Sequence, residues 1–312
     1  MAYELSDINR RALMDPQGFV EECDDIYNYK VEMAADRIIN NMSRSPIVLL
    51  SGPSGSGKTT TAHKIEEELR RRGVITHTVS MDNYFKTINL ESTPKTPEGE
   101  LDLESPLCLD MELLSEHFDM LSRGERIFVP KYEFSRQMRI LEPSKSLRLG
   151  RDEIAIFEGI HALNGAIAPA NSEVFKLYIS ASTGVSDEGE LLFKGTWLRL
   201  SRRLVRDSLF RGSSALMTLG MWANVRRGEK LYISPFKHKA DLMFDSALPY
   251  EVPVMKSRVK NLFESAPDGI ERHDEIKSVL PALERFADID SYHVLPNSLL
   301  REFIGGSVYG GR

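Results

Sequence analysis

The stretch "SGPSGSGKTT", residues 51–60, spaces Gly52, Gly57, Lys58 and Thr59 as G-x-x-x-x-G-K-T. That spacing suits a polyphosphate. Glycines let backbone N–H groups curl around phosphate oxygens, the lysine brings a cation to the β- and γ-phosphates, and the threonine hydroxyl can ligate Mg²⁺. The phosphate-contacting set is therefore Gly52, Ser54, Gly55, Ser56, Gly57, Lys58, Thr59 and Thr60. Apolar "PIVLL" before the loop reads as a strand and "AHKIEEELRRRG" after it as a helix. The helix points its positive end at the anion and is expected to stop at Gly73, behind three arginines.

A phosphate loop alone leaves switches, motors and kinases open. No N-K-x-D follows the loop, the early D-x-x-G at Asp15–Gly18 precedes it, and no L-S-G-G-Q occurs. The strand "IAIFEG" ends in Glu158 without an Asp-Glu pair, so transfer to a small acceptor is favoured. Such transfer to an alcohol needs a carboxylate by the hydroxyl, metal ligands and cations over the moving group. Asp82 in "VSMDNYF", at a predicted strand end beside Tyr84 and Phe85, is the candidate base; an Asp-Asn pair there also makes a common turn. Glu158 could contact Mg²⁺ or cap a helix. In "LRLSRRLVRDSLFRG", Arg199, Arg202 and Arg206 share one helical face, either as a solvated charge row or as a lid that closes over ATP and excludes water.

These residues need a scaffold. Short β-rich runs ("IVLL", "VITHTVSMD", "RIFVPKYEF", "EIAIFEGI", "VFKLYIS", "ADLMFDSAL") alternate with helical stretches, which predicts an α/β fold with a mainly parallel sheet flanked by helices. Residues 1–45 read as a helical extension, and 46–312 as the nucleotide-binding domain, with the arginine-rich lid at about 190–230 and closing helices around 250–290. The Pro- and Thr-rich "KTINLESTPKTPEGELDLESP" is too long for a turn and is expected to bind something or be disordered. The net charge of −6 gives no global attraction to nucleic acid or anionic membrane. Cys23 and Cys108 lie outside any metal spacing, and no apolar run approaches membrane-spanning length, so the reading is a cytoplasmic protein with reduced thiols.

Taken in order, "GPSGSGKTT", "SMDNYF", "VPKYEFSRQMR", "FEGIHALN", "RLSRRLVRDSLFRG", "NVRRGEKLYISPFKHKADLMFDSAL" and "LREFIGGSVY" make the chain resemble the uridine kinase and phosphoribulokinase family, most closely its bacterial uridine kinase-like nucleoside kinases. The resemblance implies a kinase-type P-loop fold that uses ATP and Mg²⁺ to phosphorylate the 5′-hydroxyl of uridine or cytidine. By position, Asp82 would be the general base, and Thr59 and Glu158 would hold Mg²⁺ with Asp82 nearby. Lys58, Arg199 and Arg202 would act on the transferring group, with Arg206 on the nucleotide. Tyr84, Glu104, Tyr132, Phe134, Gln137 and Arg199 would meet the acceptor. Gln137 stands where the family typically has a histidine, "LESP" replaces Phe-Asp-His-Pro, Glu133 an aspartate, and Trp197-Leu198 the usual Asp-Thr. Those departures touch the acceptor more than the reaction. The alternatives are a kinase for another polyol or sugar phosphate and a regulator that binds nucleotide without transfer. The expected partner is a small molecule, with a homo-oligomer left open.

Overall fold

A computed structural model of the chain describes residues 2–134, 136–167, 173–265 and 273–309. In chain order the elements are β1 (Tyr3–Glu4), α1 (Leu5–Met14), α2 (Pro16–Asn41), β2 (Ile47–Ser51), α3 (Lys58–Arg71), β3 (Ile75–Ser80), α4 (Met111–Ser122), β4 (Ile127–Glu133) and β5 (Met138–Leu147). Then follow β6 (Glu153–Glu158), β7 (Phe175–Ser180), β8 (Val185–Asp187), β9 (Glu190–Phe193), α5 (Gly195–Phe210), α6 (Ala215–Gly228), β10 (Leu242–Asp245), α7 (Glu251–Glu264), α8 (His273–Glu284) and α9 (Arg301–Ile304). Residues 266–272, within the predicted closing helices, lie outside the described residues.

Five strands form a parallel sheet in the order β10-β7-β2-β6-β3. The apolar run of β2 is buried throughout because helices cover both faces. Alternation divides its side chains between two cores. Val48 and Leu50 join Ile156, Leu177 and Phe244 under α2, α3, α5 and α7. Ile47 and Leu49 join Val79, Phe157 and Phe118 on the side of α4.

Two expectations change. The run "RIFVPKYEF" is a strand, but it leaves the main sheet to pair antiparallel with β5, and the register slips between Val129 and Lys131, around Pro130. Proline cannot donate to a ladder, which favours an irregular hairpin there. The predicted lid segment is β9, α5 and α6, and α5 buries ten of its residues instead of standing free over the site. The N-terminal helices share the core that holds β2 and α5. The long "KTINLESTPKTPEGELDLESP" segment is folded: Ile88 N–H donates to the Gln137 carbonyl at 3.1 Å, and Asp102 N–H to the Pro94 carbonyl at 2.7 Å.

Candidate active site

Register brings the chemistry together. Leu50 and Ser80 both pair with Glu158, so β2, β6 and β3 end at one level, neighbouring strands about 4.8 Å apart. The phosphate loop leaves β2, Asp82 stands two residues beyond β3, and Glu158 is the last residue of β6. Ligands in open α/β sheets bind at this carboxyl edge.

The loop is held from behind by its carbonyls. The Pro53 carbonyl accepts from Lys58 Nζ at 3.3 Å, that of Ser54 from Arg199 at 3.2 Å, and that of Gly55 from Arg202 at 3.1 Å. The Ser56 carbonyl accepts from the Ser246 hydroxyl at 2.6 Å, and the Gly57 carbonyl from Thr61 Oγ1 at 2.7 Å. With these oxygens engaged, an anion can meet the loop only through its N–H groups, of which that of Ser56 donates to the Pro53 carbonyl at 3.2 Å. Close approach makes glycine necessary along the loop. Gly55 (φ +76°) has the Arg199 carbonyl 2.8 Å from where a Cβ would stand, and Gly57 (φ +80°) has a Leu299 methyl at 2.6 Å.

Charge is concentrated at the mouth of this loop. Burial pushes the Lys58 ammonium down, opposed chiefly by Glu158 and then by Asp82 and Glu302. Burial raises the Asp82 carboxyl, with Lys58 and Arg211 acting against it. Glu158 is pushed up to about 7 by burial, and its Oε2 has no hydrogen-bond partner among the described residues. That orphaned oxygen fits a cation. Among the described residues no group of three or more His, Cys, Asp or Glu side chains forms a complete metal cage. Glu158 and Asp82, with the hydroxyl of the exposed Thr59, fit instead the Mg²⁺ habit of one or two carboxylates completed by phosphates and water. Bound there, the ion would neutralise phosphate charge during transfer.

A cavity of about 280 Å³ begins at Phe85, three residues past Asp82 in the chain, and is lined by Phe85, Leu103, Leu107, Cys108, Tyr132, Phe134 and Gln137 together with Lys86–Ile88 and Ser92–Pro94; Asp82 itself is outside that lining. Phe85, Tyr132 and Phe134 form an aromatic trio with ring centroids 5.0 to 6.1 Å apart. Gln137 turns the chain into β5 with φ of +51°. Tyr132, Phe134 and Gln137 were expected at the acceptor, and all three line this space. Glu104 does not: it lies against Gly228, its carboxyl raised by burial with Arg203 the leading opposing charge.

Three arginine and aromatic expectations are corrected by burial. Tyr84 is fully buried and shares a 2.8 Å hydrogen bond with His117 Nδ1, because the 3-10 turn Met81–Tyr84 rotates it into the core and Phe85 outward. Arg202 is also fully buried, donating to both carboxylate oxygens of Glu251 and to the Ser246 carbonyl. Arg199, 2% exposed, donates to Glu229 at 2.6 Å. Both arginines brace the loop and do not extend over it. Arg206 donates to Asp207 at 2.7 and 2.9 Å yet remains close enough to lower the Lys58 pKa. Trp197 packs edge-on against Phe193 in the core. Sequence reasoning missed Phe85 as the pocket wall, Arg211 as a charge near Asp82, and Glu229 and Glu251 as partners of the arginine row. An acidic residue in "RRGEK" or "LPYE" carries no local sign of what it will face.

A parallel sheet with a braced phosphate loop, a half-buried carboxylate at the end of the neighbouring strand and an aromatic pocket past the end of β3 defines a phosphate-loop kinase. The family model for phosphoribulokinase and uridine kinase matches residues 47–252, and the chain belongs to that family. It is a phosphotransferase with an alcohol group as acceptor, acting on a small molecule, and the family implies ATP as donor. The uridine kinase of Macrococcus caseolyticus (strain JCSC5402) is 26% identical over 229 residues, covering 72% of this chain and 100% of that protein. The uridine kinase of Schizosaccharomyces pombe (strain 972) is 31% identical over 163 residues, 52% of this chain but only 32% of that longer protein. A solved structure described as a fructose transport system kinase from Silicibacter sp. TM1040 shares the fold, with a TM-score of 0.51 at 20% identity over 69% of this chain and 98% of that one. Among the described residues no helix is long and apolar enough to cross a membrane.

Proposed function

We propose that the chain transfers the γ-phosphoryl group of ATP to the 5′-hydroxyl of a pyrimidine nucleoside, with uridine first and cytidine second. The observation that carries this reading is the aromatic cavity that opens at Phe85, three residues along the chain from Asp82. Phe85, Tyr132 and Phe134 offer flat apolar faces suited to a nucleobase, and Gln137 on the same wall can both donate and accept at a base edge. A small polyol would leave most of that surface unfilled. The uridine kinases among its relatives agree with the assignment.

In this reading Asp82 accepts or orients the hydroxyl proton, Lys58 and the loop amides hold the phosphates, and Thr59 and Glu158 hold Mg²⁺. The test is ADP formation by purified protein with ATP and Mg²⁺ across uridine, cytidine, purine nucleosides, ribulose 5-phosphate and simple polyols. Turnover with uridine is expected, and Asp82→Ala should abolish it while leaving ADP binding intact. Activity on sugar phosphates or polyols with none on nucleosides would replace the acceptor; ATP binding without transfer to any of them would make the chain a nucleotide-binding regulator.

A further inference from the structure

The first amides of α3 have no partners within the helix, and Gly57, at its N-cap, has no side chain to satisfy them. One is nevertheless taken. Thr60 N–H donates to Glu302 Oε2 at 3.1 Å, from a residue 242 positions away in the sequence. The amides at the start of this helix are the groups that cradle the α- and β-phosphates in a loop of this type. A carboxylate oxygen and a phosphate oxygen cannot both occupy that position, and their like charges repel.

We infer that Glu302 is a built-in anion that takes a phosphate position of the loop in the nucleotide-free protein and must be displaced when ATP binds. The surroundings allow a side-chain movement without release of the tail. Leu299, Leu300 and Phe303 are fully buried, Leu299 sits on Gly57, and the Phe303 ring lies 5.0 Å from the Arg202 guanidinium. Neighbouring Arg301 is tied to the carbonyls of Ser291, Val294 and Gly305. The backbone around Glu302 is thus anchored, while its own carboxylate is only partly buried and its side-chain torsions can turn away. Glu302 also adds its charge to those of Glu158 and Asp82 around Lys58, so the loop is compensated before any phosphate arrives. The consequence is an affinity for phosphates reduced by the fraction of time the carboxylate is seated.

This inference rests on the reading that the loop binds ATP, and calorimetric titration of ADP and ATP separates the two. Against wild type, Glu302→Ala should tighten ADP by roughly tenfold, the change expected if the carboxylate is seated about nine-tenths of the time. Glu302→Gln, whose neutral amide oxygen can still accept weakly, should fall between. In thermal melts without nucleotide both variants should melt lower, because a helix start loses its cap, and ADP should raise their melting temperature more than it raises that of wild type. A purely structural cap would give the lower melting temperature with unchanged ADP affinity, and that result overturns the inference. Weaker ADP binding in both variants would overturn it as well, by making Glu302 a support of the bound nucleotide. If neither wild type nor variants bind ADP or ATP, the reading of the loop falls together with this one.

Discussion

A base that takes a proton from an alcohol works best when its pKa lies near the working pH, and Asp82, the base of the proposed reaction, is moved in that direction. Burial raises its carboxyl, while Lys58 and then Arg211 pull it down. Because the raised group keeps its proton to higher pH, kcat/KM should climb with pH along a limb above the usual carboxylate range. Arg211 is 58% exposed, so its influence should be screened by salt. Arg211→Gln is therefore expected to move the limb further up at low ionic strength and to leave it nearly unchanged at high ionic strength, as read from pH profiles of the two proteins. A limb that stays put in both conditions removes Arg211 from the electrostatics of the base. The place of Asp82, just past a strand end and downstream of the phosphate loop, was legible in the sequence. The choice between Tyr84 and Phe85 as pocket wall was not, since it depends on the rotation of one short turn. Glu302 was illegible for a different reason: its partner is Thr60, and no local pattern joins the two.

At the scale of elements, α5 shows how a correct period can give the wrong surroundings. Helical spacing rightly places Arg199, Arg202 and Arg206 near one face, and charged faces usually meet water. Here carboxylates from Glu229 and Glu251 receive two of them inside the protein, so the row becomes the back wall of the phosphate loop. Removing one member of such a buried pair leaves an uncompensated charge. Arg202→Ala should lower stability by about 3–5 kcal/mol, measured by urea unfolding, and the double change with Glu251→Leu should recover part of that loss. ADP affinity should stay low even in the double variant, because the Gly55 carbonyl has lost its donor and the loop its brace. Equal stability of Arg202→Ala and wild type would mean that Glu251 finds water or another partner. The hairpin β4–β5 carries a similar lesson: its first strand was readable from composition, but the sheet to which it belongs was decided by Pro130 and by pairing with a mostly exposed, polar second strand.

For the whole molecule, the sequence marks a boundary at Pro46 that the packing does not respect. The buried face of α2, including Phe19, Tyr27, Val31, Ala34, Ala35 and Ile38, belongs to the same core as Val48 and Leu50 of the central strand. Tyr27 shares a 2.6 Å hydrogen bond with Thr61 on the phosphate-loop helix and meets Phe244 of β10 edge-on. One turn earlier in α2, Asp24 accepts from Tyr250 and Ser298, which ties the extension to the start of α7 and to the segment that carries Glu302. Uncovering each large apolar side chain costs about 1.5–3 kcal/mol, and a domain has only about 5–15 kcal/mol in reserve. Stripping this whole face from the core at once exceeds that reserve, so residues 46–312 alone should fail to fold cooperatively. The check is a thermal melt followed by near-ultraviolet circular dichroism, with full-length protein beside it. A sharp transition in the shortened chain, with ADP raising its midpoint, would show that α1 and α2 are an accessory layer. A flat trace would make them part of the machinery that keeps the phosphate loop, through Thr61 and the tail, in its binding shape.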